Sequence, residues 1–383
     1  MRRYLIFLSM IFIFAGAPAR AQIGKSVVIE AGTPEAKALD AIGAETDPAK
    51  KLALIDNFMA DFGQGDMAQV ACEQYVAYYL SQKNDDKAIE YAEKLLTLDP
   101  GNFNAAVNLV RAASEKQDTQ TVFAGGEKAA DIIAKYKAAP PPEGMDADTW
   151  AGRKQRALAD AQENIRYVEY QLFNAAYQTR EPMARAGLLE RFVNAFPDSA
   201  YASNAKELVP VAYQQAGNFP KMIESAEKIL AQDPKHPGLL VMLADSYSEK
   251  GVQLDKAEAD AKQAIEQLSS ATKPESVADA DWQRQISLQK GIAWSALGQA
   301  YITQKKNAPA LEAFQNAAPL LKPDATSYAR NQYRMGFALI NLKRYPEART
   351  AFTEAASVQS PYRGAAQEKL QSLPGGGAAK KQP

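Results

Sequence analysis

The chain has 383 residues, 46% hydrophobic and 23% charged, the balance of a folded protein with a sizeable core. Its 44 Lys and Arg against 45 Asp and Glu leave a net charge of −1, which excludes a globally basic nucleic-acid binder and an acidic disordered chain. With one histidine (His236) and one cysteine (Cys72), a Ser-His-Asp triad has a single possible base, and a His/Cys zinc site cannot be assembled within one chain.

Residues 1–21 read as a secretory signal peptide. Arg2 and Arg3 supply the positive start, Tyr4 to Ala15 is almost wholly apolar, and Ala19-Arg20-Ala21 is a small-x-small cleavage site. The apolar run is shorter than the roughly 20 residues a membrane helix needs. No cysteine follows the cleavage site to carry a lipid. Export to the periplasm or the outside is expected, and Cys72 is then expected as a small buried hydrophobe. Ile23 to Gly32 has a β-like composition.

From there the pattern is helical in paired segments. Gln69 to Asn102 carries Cys72, Tyr75 and Tyr79, then Ala88, Ala92 and Leu95, closed by Asp99-Pro100. Asp85-Asp86 stands where a second helix starts, and there a carboxylate favours the helix dipole. Phe103 to Tyr136 has Ala106, Leu109 and Ala113, with Gly126 in its second half. Ala138 to Asp146 contains Pro140-Pro141-Pro142, which cannot sit inside a helix and predicts an extended connector. Asp148 to Gln178 is helical, and Tyr170, Phe173 and Tyr177 at i, i+3, i+7 predict a core stripe.

Ser203 to His236 repeats the pattern with Tyr213, Gly217-Asn218, Ala226, Ile229 and Asp233-Pro234. His236 falls in the following turn and is expected as a solvated surface group. The segment from Pro237 has Leu243, Ala244, Tyr247 and Gly251, then Ala257, Ala261 and Ala264. Ser269 to Asp281 predicts a second loop, with Asp279 to Trp282 opening a helix. Gly291 to Pro323 is the most complete unit: Trp294, Leu297, Gly298 and Tyr301, then Ala310, Phe314 and Ala317. The next has Met335, Gly336, Leu339, Ala348, Phe352 and Ala355. Residues 362–372 predict a capping helix, and Gly375 to Pro383 a disordered tail.

Counting from Gly291, Trp294 is at position four, Leu297 at seven, Gly298 at eight, Tyr301 at eleven, Ala310 at twenty, Phe314 at twenty-four and Ala317 at twenty-seven. This unit resembles the tetratricopeptide repeat of about 34 residues. Small residues at eight, twenty and twenty-seven let two antiparallel helices approach, and large ones fill the gaps between them. A longer period overlies the short one. Residues 51–100 slide onto 185–234 at an offset of 134, matching Phe58 to Phe192, Asn84 to Asn218 and Asp99-Pro100 to Asp233-Pro234.

The resemblance implies an all-α, right-handed tetratricopeptide-type α-solenoid of helical hairpins, roughly 15–17 helices in all. The expected organisation is a signal peptide over 1–21, an N-terminal block over 22–137, a Pro-rich linker over 138–146, a C-terminal block with a capping helix over 147–373, and a tail over 374–383. No phosphate-cradling loop, dinucleotide fingerprint, HExxH, CxxC or G-x-S-x-G occurs. We assign no catalytic, cofactor-binding or metal-binding residues, and expect no enzyme.

The resemblance further implies that first helices line a groove. For the unit from Ala329 this places Arg330, Tyr333, Arg334, Phe337 and Asn341 there, and the preceding unit adds Gln299. Two arginines beside two aromatic rings suit an extended peptide with an acidic group. The alternative is a solvated Arg330–Arg334 pair with Phe337 packed on a neighbouring helix. The expected function is a non-catalytic scaffold for a protein or peptide of the bacterial envelope, with no nucleic acid, no membrane span after cleavage and self-association open. Binding of a glycan or small ligand through aromatics such as Trp150 and Trp282 is the main alternative. A glycan-processing enzyme is a further one, though no carboxylate pair can be assigned to it.

Overall fold

The structure, a computed structural model, describes residues 23–24 and 27–374. The signal peptide expected over 1–21 and the tail from Gly375 lie outside the described residues. The described residues contain eighteen α-helices and no strand. The all-α expectation therefore holds, with more helices than the 15–17 anticipated. One reason is a break at Ala161, which divides a nearly continuous helical stretch in two. The β-like segment forms no strand. Val27 and Ile29 instead rest against the cluster of Ile42, Ile55 and Phe58.

Contacts divide the chain into two compact units between Ala216 and Gly217. The first contains α1 (Pro34–Ala44), α2 (Pro48–Phe62), α3 (Asp66–Ser81), α4 (Asp85–Leu98), α5 (Phe103–Glu115), α6 (Thr119–Ala138), α7 (Ala147–Asp160), α8 (Gln162–Gln178), α9 (Pro182–Ala195) and α10 (Ala202–Gln215). The second contains α11 (Phe219–Leu230), α12 (Pro237–Lys250), α13 (Leu254–Ser270), α14 (Asp279–Thr303), α15 (Asn307–Leu321), α16 (Ala325–Asn341), α17 (Tyr345–Ser357) and α18 (Arg363–Ser372). The proline-rich stretch joins α6 to α7 inside the first unit. Trp150 pins it by donating its indole N–H to the Ala139 carbonyl at 2.9 Å.

In each unit, most helices next to each other in sequence pack as hairpins that stack in order, and α7, which runs into α8 across the Ala161 break, stands outside this pattern. One joint recurs at the end of the first helix of five hairpins. Asn84, Asp118, Val252, Lys306 and Arg344 donate their backbone N–H groups to the carbonyls of Tyr79, Ala113, Tyr247, Tyr301 and Leu339, at 2.8–3.0 Å. These are six-to-one bonds of the Schellman type, which satisfy a helix-end carbonyl. All five acceptors stand at position eleven of their repeats, so the joint marks the register. The residue before each donor is left-handed: Lys83, Gln117, Gly251, Lys305 and Lys343 have φ between 54° and 68°.

Inside the hairpins, one large side chain meets one small one. A Cβ on Gly298 would lie 2.6 Å from Phe314 Cε1, and one on Gly336 would lie 2.5 Å from Phe352 Cζ. Both phenylalanines are fully buried. The α3–α4 hairpin reverses the sizes, with Val76 on the first helix and Ala92 on the second in one cluster. The α12–α13 hairpin places alanines on both sides, Ala244 and Ala261. Cys72 is buried near Leu95 and Ala105, the small-hydrophobe role expected of it.

The duplication is visible in the helices. Shifted by 134, α2, α3 and α4 fall on α9, α10 and α11, and α5 falls on α12. The capping chemistry shifts with them. The side chains of Asn84 and Asn218 accept the N–H groups of Lys87 and Lys221. Those of Asn102 and His236 accept from Ala105 and Leu239. His236 is thus a half-buried helix cap rather than a solvated turn residue.

Asp260 on α13 departs from the apolar pattern. It is 8% exposed, and its Oδ2 makes no hydrogen bond within the protein. Burial raises its pKa from 3.8 to about 6; Lys256 opposes the shift and Glu227 adds to it. A carboxyl whose folded pKa lies above its unfolded one stabilises most below the unfolded value, and that stability is lost as pH rises through the folded value. Stability should therefore fall between pH 4 and pH 6. Asp260→Asn should raise stability at pH 7.5 by about 1–3 kcal/mol and leave it nearly unchanged at pH 3.5. Urea midpoints of both proteins at the two pH values test this, and equal gains at both would contradict it.

Candidate partner-binding surface

The residues singled out from sequence lie on two first helices of the second unit, Gln299 on α14 and the other five on α16. Arg330 and Arg334 sit one turn apart on α16 and reach α12, which is 85 residues away in sequence. Arg330 Nη1 donates to Asp245 Oδ2 at 2.9 Å. Arg334 Nη2 donates to Glu249 Oε2, and its Nη1 lies 3.5 Å from Asp245 Oδ1 without a hydrogen bond. α14 packs against both α12 and α16, and its Ser295 is fully buried with an Oγ that forms no hydrogen bond. The arginines are therefore neither a solvated pair nor open to a partner as they stand. Each already faces a carboxylate of its own chain.

Exposure within this group is uneven. The Arg334 side chain is 7% exposed and that of Asp245 17%, whereas that of Glu249 is 53% exposed. Burial alone would lower the Arg330 pKa, but the Asp245 carboxylate outweighs it and the net shift is upward. The guanidinium stays charged. Asp245 is the shared inner anion, while Glu249 is held at the surface through a single nitrogen of Arg334.

Tyr333 and Phe337 are half-buried and belong largely to packing. Their rings lie 5.0 Å apart edge to face, and both meet Phe352 edge-on at 5.7 and 5.5 Å. Tyr362 approaches Tyr333 at 5.7 Å, and the Lys369 ammonium lies 5.4 Å from the Phe337 ring centre. Asn341 is exposed and donates its amide to Asn307 Oδ1 at 3.0 Å. Gln299 is half-buried on α14, and its backbone carbonyl accepts the Thr303 hydroxyl at 3.1 Å.

The first unit holds a surface that the sequence reading placed in the core. On α8, Tyr170 is 47% exposed and Tyr177 54%. Phe173 lies between them, stacked on Tyr177 at 6.0 Å and on Tyr201 at 5.1 Å, with Tyr170 reaching Tyr201 at 6.1 Å. Burial at α8 instead falls on Val168, Leu172 and Ala176, one helical step around. Trp150 is half-buried, meeting Tyr136 edge-on at 5.6 Å. Its indole hydrogen bond and this packing give it a structural role.

Among the described residues, no group of three or more His, Cys, Asp or Glu is placed to hold a metal ion. No helix among them is long and apolar enough to cross a membrane.

Residues 71–102 match the model of the tetratricopeptide repeat. They cover the α3–α4 hairpin, whose position-eleven joint recurs in four further hairpins. The fold is an all-α solenoid of tetratricopeptide type. No curated protein matches the chain. Among solved structures, it is similar to the APC/C hetero-tetramer Cut9-Hcn1, at 14% identity and a TM-score of 0.38, over 88% of this chain and 62% of that one. It is also similar to the P58(IPK) TPR domain, at 12% identity and a TM-score of 0.31, over 89% of this chain and 98% of that one. The chain thus spans less than two thirds of the length of the first of these.

Proposed function

We propose that the chain is a non-catalytic scaffold that holds a protein or peptide partner in the bacterial cell envelope, after export directed by residues 1–21. The observation that carries this reading is the stack of helical hairpins with its repeat register. Such a stack presents one helix of every hairpin along a shared face, and the tetratricopeptide match in α3–α4 supports the assignment. On that face, Gln299, Tyr333, Phe337 and Asn341 are the residues for direct partner contact, and Arg330 and Arg334 join them only on release from the carboxylates they face. Binding of a glycan is the second reading. The half-exposed rings of Tyr170 and Tyr177 favour it, since saccharide rings stack on such faces.

In-cell crosslinking of the tagged protein, with mass spectrometry of what it captures, tests both. Wild type is compared with Tyr333→Ala/Asn341→Ala and with Tyr170→Ala/Tyr177→Ala. The expected result is a discrete envelope protein that wild type captures and the first variant loses. Capture of no protein, together with oligosaccharide quenching of wild-type tyrosine and tryptophan fluorescence that the second variant loses, would replace the scaffold reading by the glycan one.

A further inference from the structure

We propose that Arg334, with Arg330 beside it, is the receptor for an acidic peptide segment, and that Glu249 occupies it until a partner carboxylate takes its place. The inference rests on the scaffold reading and names the chemistry of the partner on the α12–α14–α16 face.

Three observations converge on exchange at Glu249. Arg334 is fixed in place: its side chain is 7% exposed, and Asp245 lies on its inner side. Its two outer nitrogens differ: Nη2 donates to half-exposed Glu249, while Nη1 is buried 3.5 Å from Asp245 Oδ1. Nη1 is buried against Asp245, so the exchange takes place at Nη2, where a partner carboxylate meets the same charged donor that Glu249 holds. Glu249 is also poorly placed for a carboxylate. It stands in the last turn of α12, where the helix dipole disfavours negative charge. Its side chain is 53% exposed, and Arg334 is the partner that holds it.

Asp245 has a different role. It is mostly buried and faces both arginines, so it stays when Glu249 swings out. Departure of Glu249 leaves two guanidinium charges against one carboxylate, a net positive site with Arg334 Nη2 released. A Glu or Asp side chain, or a chain-terminal carboxylate, restores neutrality. Before exchange, the site is competent only in the fraction of molecules whose Glu249 has let go. The apparent affinity is reduced by that fraction, and removing the internal competitor restores it.

The test is fluorescence anisotropy with fluorescein-labelled hexaglutamate, with hexaglutamine as the uncharged control. Glu249→Gln should bind hexaglutamate about tenfold more tightly than wild type. Glu224→Gln makes the same change in net charge at an exposed site on α11 and should leave affinity at the wild-type value. Adding Arg334→Lys to Glu249→Gln should remove the gain, because lysine keeps the charge but cannot face Asp245 and present a second nitrogen at the Glu249 position at once. Circular dichroism melts show that each variant is folded. Equal affinity for Glu249→Gln and Glu224→Gln, or no gain over wild type, overturns the proposal, as does retention of the gain with lysine. The scaffold reading fails separately: in-cell capture can persist when hexaglutamate binding fails, and the reverse holds as well.

Discussion

Phe314→Ala should cost about 3–5 kcal/mol, the range for emptying a fully buried aromatic site. Phe314 is 0% exposed and fills the space that Gly298 leaves on α14. The complementary change is as informative. Gly298→Leu should cost about 1–3 kcal/mol or more by overpacking, because even its Cβ would fall 2.6 Å from the Phe314 ring. Combining Gly298→Ala with Phe314→Leu should cost less than the two single changes together, since Phe314→Leu vacates volume that the added Cβ fills. Urea melts of the four proteins measure this. A Gly298→Leu midpoint equal to wild type would show that the α14–α15 register is wrong.

Arg334→Met should cost a similar amount, about 3–5 kcal/mol, for a different reason. Asp245, with a side chain 17% exposed, would keep Arg330 alone, and Glu249 would lose the partner that holds it. A buried carboxylate stripped of a cation is costly, whereas replacing both members of such a pair is often nearly neutral. Asp245→Asn/Arg330→Met/Arg334→Met, which removes the whole inner triad so that no buried charge is left alone, should therefore recover more than half of the loss. Hydrogen exchange should place the loosening in α12, α14 and α16, with α17 and α18 less affected. If the triple variant is no better than Arg334→Met alone, the arginine contributes through packing and not through charge.

These two cases mark what the sequence could and could not show. The Gly298–Phe314 contact joins residues sixteen apart on one hairpin, and their small-and-large alternation follows from local spacing. It was legible for that reason. The Arg334–Glu249 contact joins residues 85 apart, on helices two hairpins from one another. Its existence depends on how much each hairpin turns relative to the last, which no local pattern encodes. The α8 stripe failed in another way. Aromatic residues at i, i+3, i+7 mark one face of a helix, and nothing in that spacing says whether the face meets a neighbour or water. The neighbouring line of Val168, Leu172 and Ala176 fits the same period and is the buried one.

The joints at position eleven bear on how such a chain grows. Each is closed by a carbonyl of its own first helix, so its backbone bond lies wholly within its own hairpin. A copied segment therefore arrives as a finished part, complete with its caps. The correspondence of α2–α5 with α9–α12 is what modular inheritance of that kind leaves behind. Lysine or glutamine holds the left-handed position in four of the five joints, where glycine would spare roughly 1 kcal/mol of backbone strain. Modules can thus drift at their binding faces, and stability lost there can be regained by a single change at a joint, away from any partner.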